Sequence, residues 1–283
     1  MKKKVILGIL AGMLMPAWAW AGQPNSIQIK GSDTMVNLGQ AWAEGYMQKN
    51  PEAFVAVTGG GSGTGIAALI SGTCDIAEVS REMKKKEIDL ANSRGVMPKE
   101  HTVAMDGLAV VVHPKNPVSR LTVDELADIF TGKIKNWKEL GGVEGEIVLL
   151  SREVNSGTHV YFKEHVLRKG DAARTDEFAE SALLMSSSQA IADEVSQNTN
   201  AIGYYGMGYI SPNQKVIAVA KDKNSPYHEP TIENVKSGNY YIARPLFMYS
   251  NGEPAGLVKD FLDFIFSSEG QEIVAKVDFV PVK

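Results

Sequence analysis

From residue 26 onward, short apolar runs alternate with amphipathic stretches. SIQIKGS places Ile27 and Ile29 on one side of a strand that ends at Gly31. DTMVNLGQAWAEGYMQKNP then sets Met35, Leu38, Trp42 and Tyr46 at helical spacing until Asn50-Pro51 stops it. AFVAVTG predicts a second strand, GIAALISG a short helix closed by Gly72, CDIAEVS a third strand and REMKKKEIDLA another helix. DGLAVVVHP predicts a buried strand, and LTVDELADIFTGK a helix with a Thr122–Glu125 capping box that ends at Gly132. EIVLLSRE predicts a strand, and NSGTHVYFKEHVLRKG a helix whose faces are marked by Tyr161 with His165 and Phe162 with Val166. SSQAIADEVSQN predicts a helix, and AIGYYGMGYI a glycine-rich extended segment. YYIARPLFMYS then predicts a strand, and AGLVKDFLDFIFSSEGQEIVAKV two helices, the second capped by Ser268. This β-loop-α repetition predicts an α/β fold with a largely parallel sheet.

The first residues break the pattern. MKKK is a basic start, VILGILAGMLMPAWAWA is apolar, and Ala19, Trp20 and Ala21 form a small-x-small cleavage site. Residues 1–21 therefore read as a secretory signal peptide, cut before Gly22. Its removal takes three lysines and moves the formal net charge from −4 to −7. An acidic balance of that size excludes nucleic acid and anionic membrane surfaces as expected partners. Cys74 is the only cysteine, so there is no disulfide framework and no cysteine metal cluster. It lies far from the cleavage site and cannot be a lipid-modified first residue, so the expected compartment is the periplasm. About 260 mature residues suffice for two lobes, and with no low-complexity linker these must be joined by short crossovers.

Candidate chemistry concentrates in four turns that follow strands: GSDT (Gly31–Thr34), GSGT (Gly61–Thr64), SR (Ser80, Arg81) and SREVNSGT (Ser151–Thr158). Small hydroxyl residues, mostly with glycine, stand where a helix is expected to start. Such an end offers unpaired N–H donors and about half a positive charge. One turn of this kind is ordinary capping; four at strand carboxyl ends predict a single anion site. Five of the seven residues from Gly59 to Gly65 are glycine, which fits close approach of backbone N–H groups, notably that of Gly63, to a ligand. The nucleotide versions fail: Gly65 is followed by Ile66 where a P-loop needs lysine, and Thr64 stands where a dinucleotide fingerprint needs glycine. Ser62 lacks the surroundings of a nucleophile elbow. The five histidines show no metal spacing, and His159 reads as a surface or packing residue.

Taken in order, GSDT, GGGSGTGI, DIAEVSR, DGLAVVVHPKNPV, LTVDELADIFTGKIKNW, SREVNSGT and AIGYYGMGY resemble the periplasmic phosphate-binding proteins of phosphate ABC transporters. The similarity covers nearly all of the mature chain, and its most specific element is Arg152 followed by Ser156-Gly157-Thr158. The resemblance implies the type II periplasmic-binding-protein fold, with two α/β lobes joined by a hinge and closing on one oxyanion. It implies lobe 1 from residues 22–107, lobe 2 from 108–239 and a return to lobe 1 over 240–283. It implies binding rather than catalysis, no cofactor, inorganic phosphate as ligand, an inner-membrane permease as partner and a monomer. The site carried over by the motifs comprises Ser32, Asp33, Thr34, Ser62, Gly63, Thr64, Ser80, Arg81, Arg152, Ser156, Gly157 and Thr158.

One position departs from the family pattern. Its best-described members carry an aspartate after the third-turn serine, which accepts the proton of hydrogen phosphate; here that position is Arg81. Phosphate at neutral pH still carries a proton and sulfate does not, so a carboxylate in the site separates the two. Asp33 is the expected substitute acceptor, with an N-cap role as its alternative. Sulfate or molybdate binding on the same fold, or a secreted phosphatase, are the competing functions.

Overall fold

The computed structural model describes residues 25–283, so the predicted signal peptide and its cleavage site lie outside the described residues. The first lobe opens with β1 (Ser26–Gly31), a 3-10 turn (Asp33–Met35), α1 (Val36–Lys49), β2 (Phe54–Thr58), α2 (Ser62–Ser71), β3 (Ile76–Val79) and α3 (Lys85–Ser93). The long β4 (Pro98–Val112) leads into the second lobe: β5 (Arg120–Thr122), α4 (Val123–Phe130), β6 (Val148–Arg152), α5 (Gly157–Phe162), β7 (Leu183–Met185), α6 (Ser188–Gln197), β8 (Ala201–Gly206), β9 (Lys215–Val216), β10 (Ala218–Ala220) and α7 (Ile232–Lys236). The chain returns through β11 (Ala243–Asn251) to α8 (Gly256–Ile265) and α9 (Ser268–Lys276).

The strands join in the order β2-β1-β3-β11-β4-β8-β6-β7, with β9 also paired to β4. Pairing is parallel among β1, β2 and β3 and again among β6, β7 and β8, and antiparallel where β4 and β11 cross between them. The residues of β4 up to Gly107 pair with β11, whereas Leu108–Val112 pair with β8. One strand thus serves both lobes, and β4 with β11 forms the crossing between them. Leu108–Val112 is buried without alternation, as expected for a strand covered on both faces. The start of β4 at Pro98 lies eight residues before the predicted run, because Lys99 and Glu100 are exposed and break the apolar pattern.

Leu38, Trp42 and Tyr46 bury the inner face of α1, and the Trp42 indole N–H donates to the Gly270 carbonyl at 2.8 Å, tying the returning segment to the first lobe. The Thr122–Glu125 capping box forms at the start of α4. The helix predicted after Ser156 is α5 continued by one π-helical turn, Lys163–Leu167, with the Tyr161 and His165 rings stacked at 3.9 Å. The cap of α9 is Ser267 rather than Ser268, its hydroxyl accepting from Gly270 N–H.

One expected helix start is displaced. No helix begins at Ser80-Arg81; α3 starts at Lys85, with the Glu87 carboxylate folded back onto the Lys84 N–H at 2.8 Å. The same carboxylate holds the Arg81 guanidinium, so residues 81–84 are an irregular bridge from strand to helix.

Candidate functional site

Parallel strands end on the same side of each lobe, so the turns after β1, β3 and β6 and the loop before α2 converge on the cleft. Their hydroxyl groups meet there. Ser32 Oγ donates to Ser80 Oγ at 2.8 Å, Ser62 Oγ lies 3.2 Å from Ser80 Oγ, and the Ser80 N–H donates to Ser62 Oγ at 3.0 Å. Thr34 and Thr158 share a 2.8 Å hydrogen bond between their Oγ1 atoms, one from each lobe. Ser32, Thr34, Ser62, Ser80, Ser156 and Thr158 are all buried. Ser156 caps α5, accepting from Thr158 and His159 N–H. Gly157 stands directly against Ser62 and Ser80.

Arg152, at the end of β6, is buried with its fork fully engaged. It donates to the Met185 and Ser186 carbonyls and to Ser188 Oγ, and Nη1 lies 3.1 Å from Asp33 Oδ2 in the other lobe. Burial lowers the Arg152 pKa, and the Asp33 charge opposes that shift. The same Asp33 oxygen accepts from Ser188 N–H at 2.7 Å, and the Tyr209 hydroxyl donates to the Asp33 carbonyl at 2.7 Å. Asp33 therefore does accept from a helix start, but the helix is α6 across the cleft, itself capped by Ser187, and not the one that follows Asp33 in sequence.

Three predicted site residues are placed elsewhere. Arg81 is held in a two-pronged 2.8 Å pair with Glu87, lining a cavity of about 530 Å³ with Lys84, Tyr161, His165 and Arg244. The Gly63 N–H donates to the Asn155 carbonyl at 2.9 Å. Thr64 Oγ1 bonds the Gly60 carbonyl at 2.7 Å and is only half-buried. The glycine run is accordingly a seat for the Asn155 segment: Gly61 has φ +95°, and a Cβ there would meet the Asn155 carbonyl at 3.0 Å. His159 is buried against Phe178, and burial draws its pKa down to about 4, so it is a neutral packing residue.

The sequence reading missed Arg244 and Asp106, which face each other on the two crossing strands. Arg244 holds Asp106 Oδ2 through Nε at 3.0 Å and Nη2 at 2.9 Å, and reaches on to Ser80 O and Thr158 Oγ1, both at 2.9 Å, and to Thr34 Oγ1 at 3.4 Å. It therefore touches both lobes from the hinge. The available signal was a lone charge inside each of two apolar runs, IARPLFMYS and AMDGLAVVV, since a buried charge must find a partner. Glu78, two residues before Ser80 on the same strand face, is fully buried and burial raises its carboxyl pKa well above the ordinary range.

The site thus offers buried hydroxyl donors, the starts of α2 and α5, and two guanidinium groups, each balanced by one aspartate. A family profile for the PBP superfamily domain matches residues 19–269. The phosphate-binding protein PstS of Pseudomonas aeruginosa is 32% identical over 279 residues, covering 93% of this chain and 84% of its own length. PstS of Bacillus subtilis is 36% identical over 261 residues, covering 91% and 81%. Among solved structures, a phosphate ABC transporter substrate-binding protein of Clostridium perfringens with bound phosphate superposes with TM-score 0.82 at 35% identity, over 92% of this chain and all of that one. An ABC-type phosphate transport receptor from Vibrio cholerae gives 0.70 at 31% identity, over 90% of this chain and 99% of that one. The chain belongs to the PBP superfamily, among the two-lobed phosphate-binding proteins of ABC transport.

Proposed function

We propose that this chain captures inorganic phosphate between its lobes in the periplasm and delivers it, as a monomer and without catalysis, to the permease of an ABC transporter. The observation that carries the reading is the buried convergence of Ser32, Thr34, Ser62, Ser80 and Thr158 from both lobes against the Arg244 guanidinium. Hydroxyls and helix starts match the oxygens of a tetrahedral anion, and the guanidinium supplies full charge in a water-poor setting. Among the described residues no helix is long and apolar enough to cross a membrane. The change of β4 partners between Gly107 and Leu108 supports lobe limits of 22–107, 108–239 and 240–283.

Calorimetric titration of the purified protein with phosphate tests the reading, and absence of heat with a folded protein overturns it. Arg152→Ala removes one guanidinium and also leaves Asp33 unpaired beside the incoming anion. It is expected to weaken phosphate binding at least tenfold, about 1.4 kcal/mol or more. Unchanged affinity would take Arg152 out of the site.

One observation favours a second reading, in which the ligand is a proton-free oxyanion such as sulfate. The position that carries the proton acceptor in the family is Arg81, and Arg81 is committed to Glu87. Asp33, in the first-lobe turn, is the carboxylate we propose accepts a ligand proton, so Asp33→Asn decides the matter. If Asp33 selects for phosphate, the variant shows a narrower phosphate-to-sulfate affinity ratio in paired titrations. If it only accepts from the first N–H of α6, the ratio stays at the parental value, because asparagine can still accept that bond.

A further inference from the structure

We propose that Asn155 is a positioning residue that holds the two lobes together over the bound anion, so that its bonds to the glycine loop set how long the ligand stays. The inference rests on the binding function proposed above and adds the residue that governs release. Asn155 lies in the second lobe, between β6 and α5, and engages the first lobe at three points. Its carbonyl accepts from Gly63 N–H at 2.9 Å, and its Nδ2 donates to the Gly60 carbonyl at 2.9 Å and to Thr64 Oγ1 at 3.3 Å. The fit is steric as well. A Cβ on Gly61 would stand 3.0 Å from the Asn155 carbonyl oxygen, and one on Gly63 would stand 3.2 Å from it. The loop is glycine-rich where the second lobe lies against it. These bonds form at the rim of the cleft and touch none of the hydroxyl cluster. They exist only when the lobes are in contact, so they stabilise the closed arrangement without changing the encounter with the anion. An interaction of that kind acts on dissociation rather than association.

Apart from the buried links through Asp33 and Thr34, a surface pair also crosses between the lobes, Lys84 Nζ to Glu164 Oε1 at 3.7 Å. Both side chains are partly exposed and the pair is long, so it is screened and worth little. It serves as the control.

The test is stopped-flow measurement of phosphate association and dissociation for the parent, Asn155→Ala, Gly63→Ala and Lys84→Ala, with thermal unfolding of the phosphate-free proteins alongside. Asn155→Ala removes two of the three bonds and is expected to speed release about tenfold or more, with association within about twofold of the parent. Gly63→Ala, whose methyl presses on the Asn155 carbonyl, is expected to act in the same direction, and Lys84→Ala to leave both rates unchanged. A role confined to folding would lower the unfolding midpoint and leave the rates of the folded fraction alone. Release from Asn155→Ala at the parental rate overturns the inference while leaving the binding function intact. A parent that takes up no phosphate overturns both.

Discussion

Gly157→Ala is expected to lower phosphate affinity at least 100-fold, about 2.7 kcal/mol, in a protein that folds as well as the parent. Gly157 is the first residue of α5, and alanine is the better helix former there. The damage lies across the cleft. A Cβ at this position would fall 2.3 Å from Ser62 Oγ, 2.6 Å from Ser80 Oγ and 3.0 Å from Ser62 Cβ, all in the opposite lobe. Those hydroxyls are buried and bonded to one another, so they cannot swing aside without breaking the cluster. The methyl therefore acts as a wedge that stops the lobes from meeting. Calorimetry gives the affinity, and circular dichroism checks the fold. A double-mutant cycle with Ser62→Gly separates the wedge from other causes: with Ser62 trimmed, the added cost of Gly157→Ala should shrink. Parental affinity in Gly157→Ala would show that Gly157 is not at the closing surface.

Arg244→Met is expected to cost about 3–5 kcal/mol of folding stability and to weaken binding in whatever fraction folds. The substitution removes the group that compensates Asp106, which is wholly buried on the partner strand. Burial already pushes the Asp106 carboxyl up, against the pull of Arg244 and of the Met207 N–H. Without the guanidinium, Asp106 is raised further and folds most easily when protonated. The sign follows from that. A group whose folded pKa lies above its unfolded value contributes stability at low pH and loses it as pH rises. The deficit of Arg244→Met relative to the parent should therefore be largest near pH 8 and shrink toward pH 5, as read by urea unfolding. Arg244→Met with Asp106→Asn should recover most of the loss, since asparagine carries no charge and can still accept from Met207 N–H at its Oδ1. A pH-independent deficit that the second change does not repair would mean that Arg244 acts through packing alone.

Much of the candidate site was legible because its signal is local. Ser32 and Thr34, Ser62, Ser80, and Ser156 with Thr158 all sit in short hydroxyl-rich turns after strands, a pattern visible within a few residues. The two arginines that follow strands could not be told apart in this way. Both Arg81 and Arg152 succeed a serine at a strand end. Glu87, six residues beyond Arg81 and at the start of a helix displaced from its expected position, captures the first. Asp33, 119 positions before Arg152, meets the second. Local spacing records neither choice. Arg244 and Asp106 were hidden for the same reason: 138 residues separate them, and only the register of β4 against β11 sets them opposite each other.

The sequence by itself determined the elements and their class. Periods of two and of about 3.6 residues record which side of each segment faces a core, and burial of that side is a short-range matter that survives ignorance of the rest. The four donor-rich turns belong to the same level, because a cap is made by residues three or four apart. The tertiary structure decided what those turns do to one another. It made β4 a member of both lobes, gave the glycine loop to Asn155, set Asp33 against the first N–H of α6, and placed a guanidinium at the hinge behind Thr34 and Thr158. Each of these is a contact between segments far apart in the chain. Such contacts depend on how two separately packed lobes are oriented, and a hydrogen bond fails within about an ångström of misplacement, so a pattern that tolerates such shifts cannot specify them.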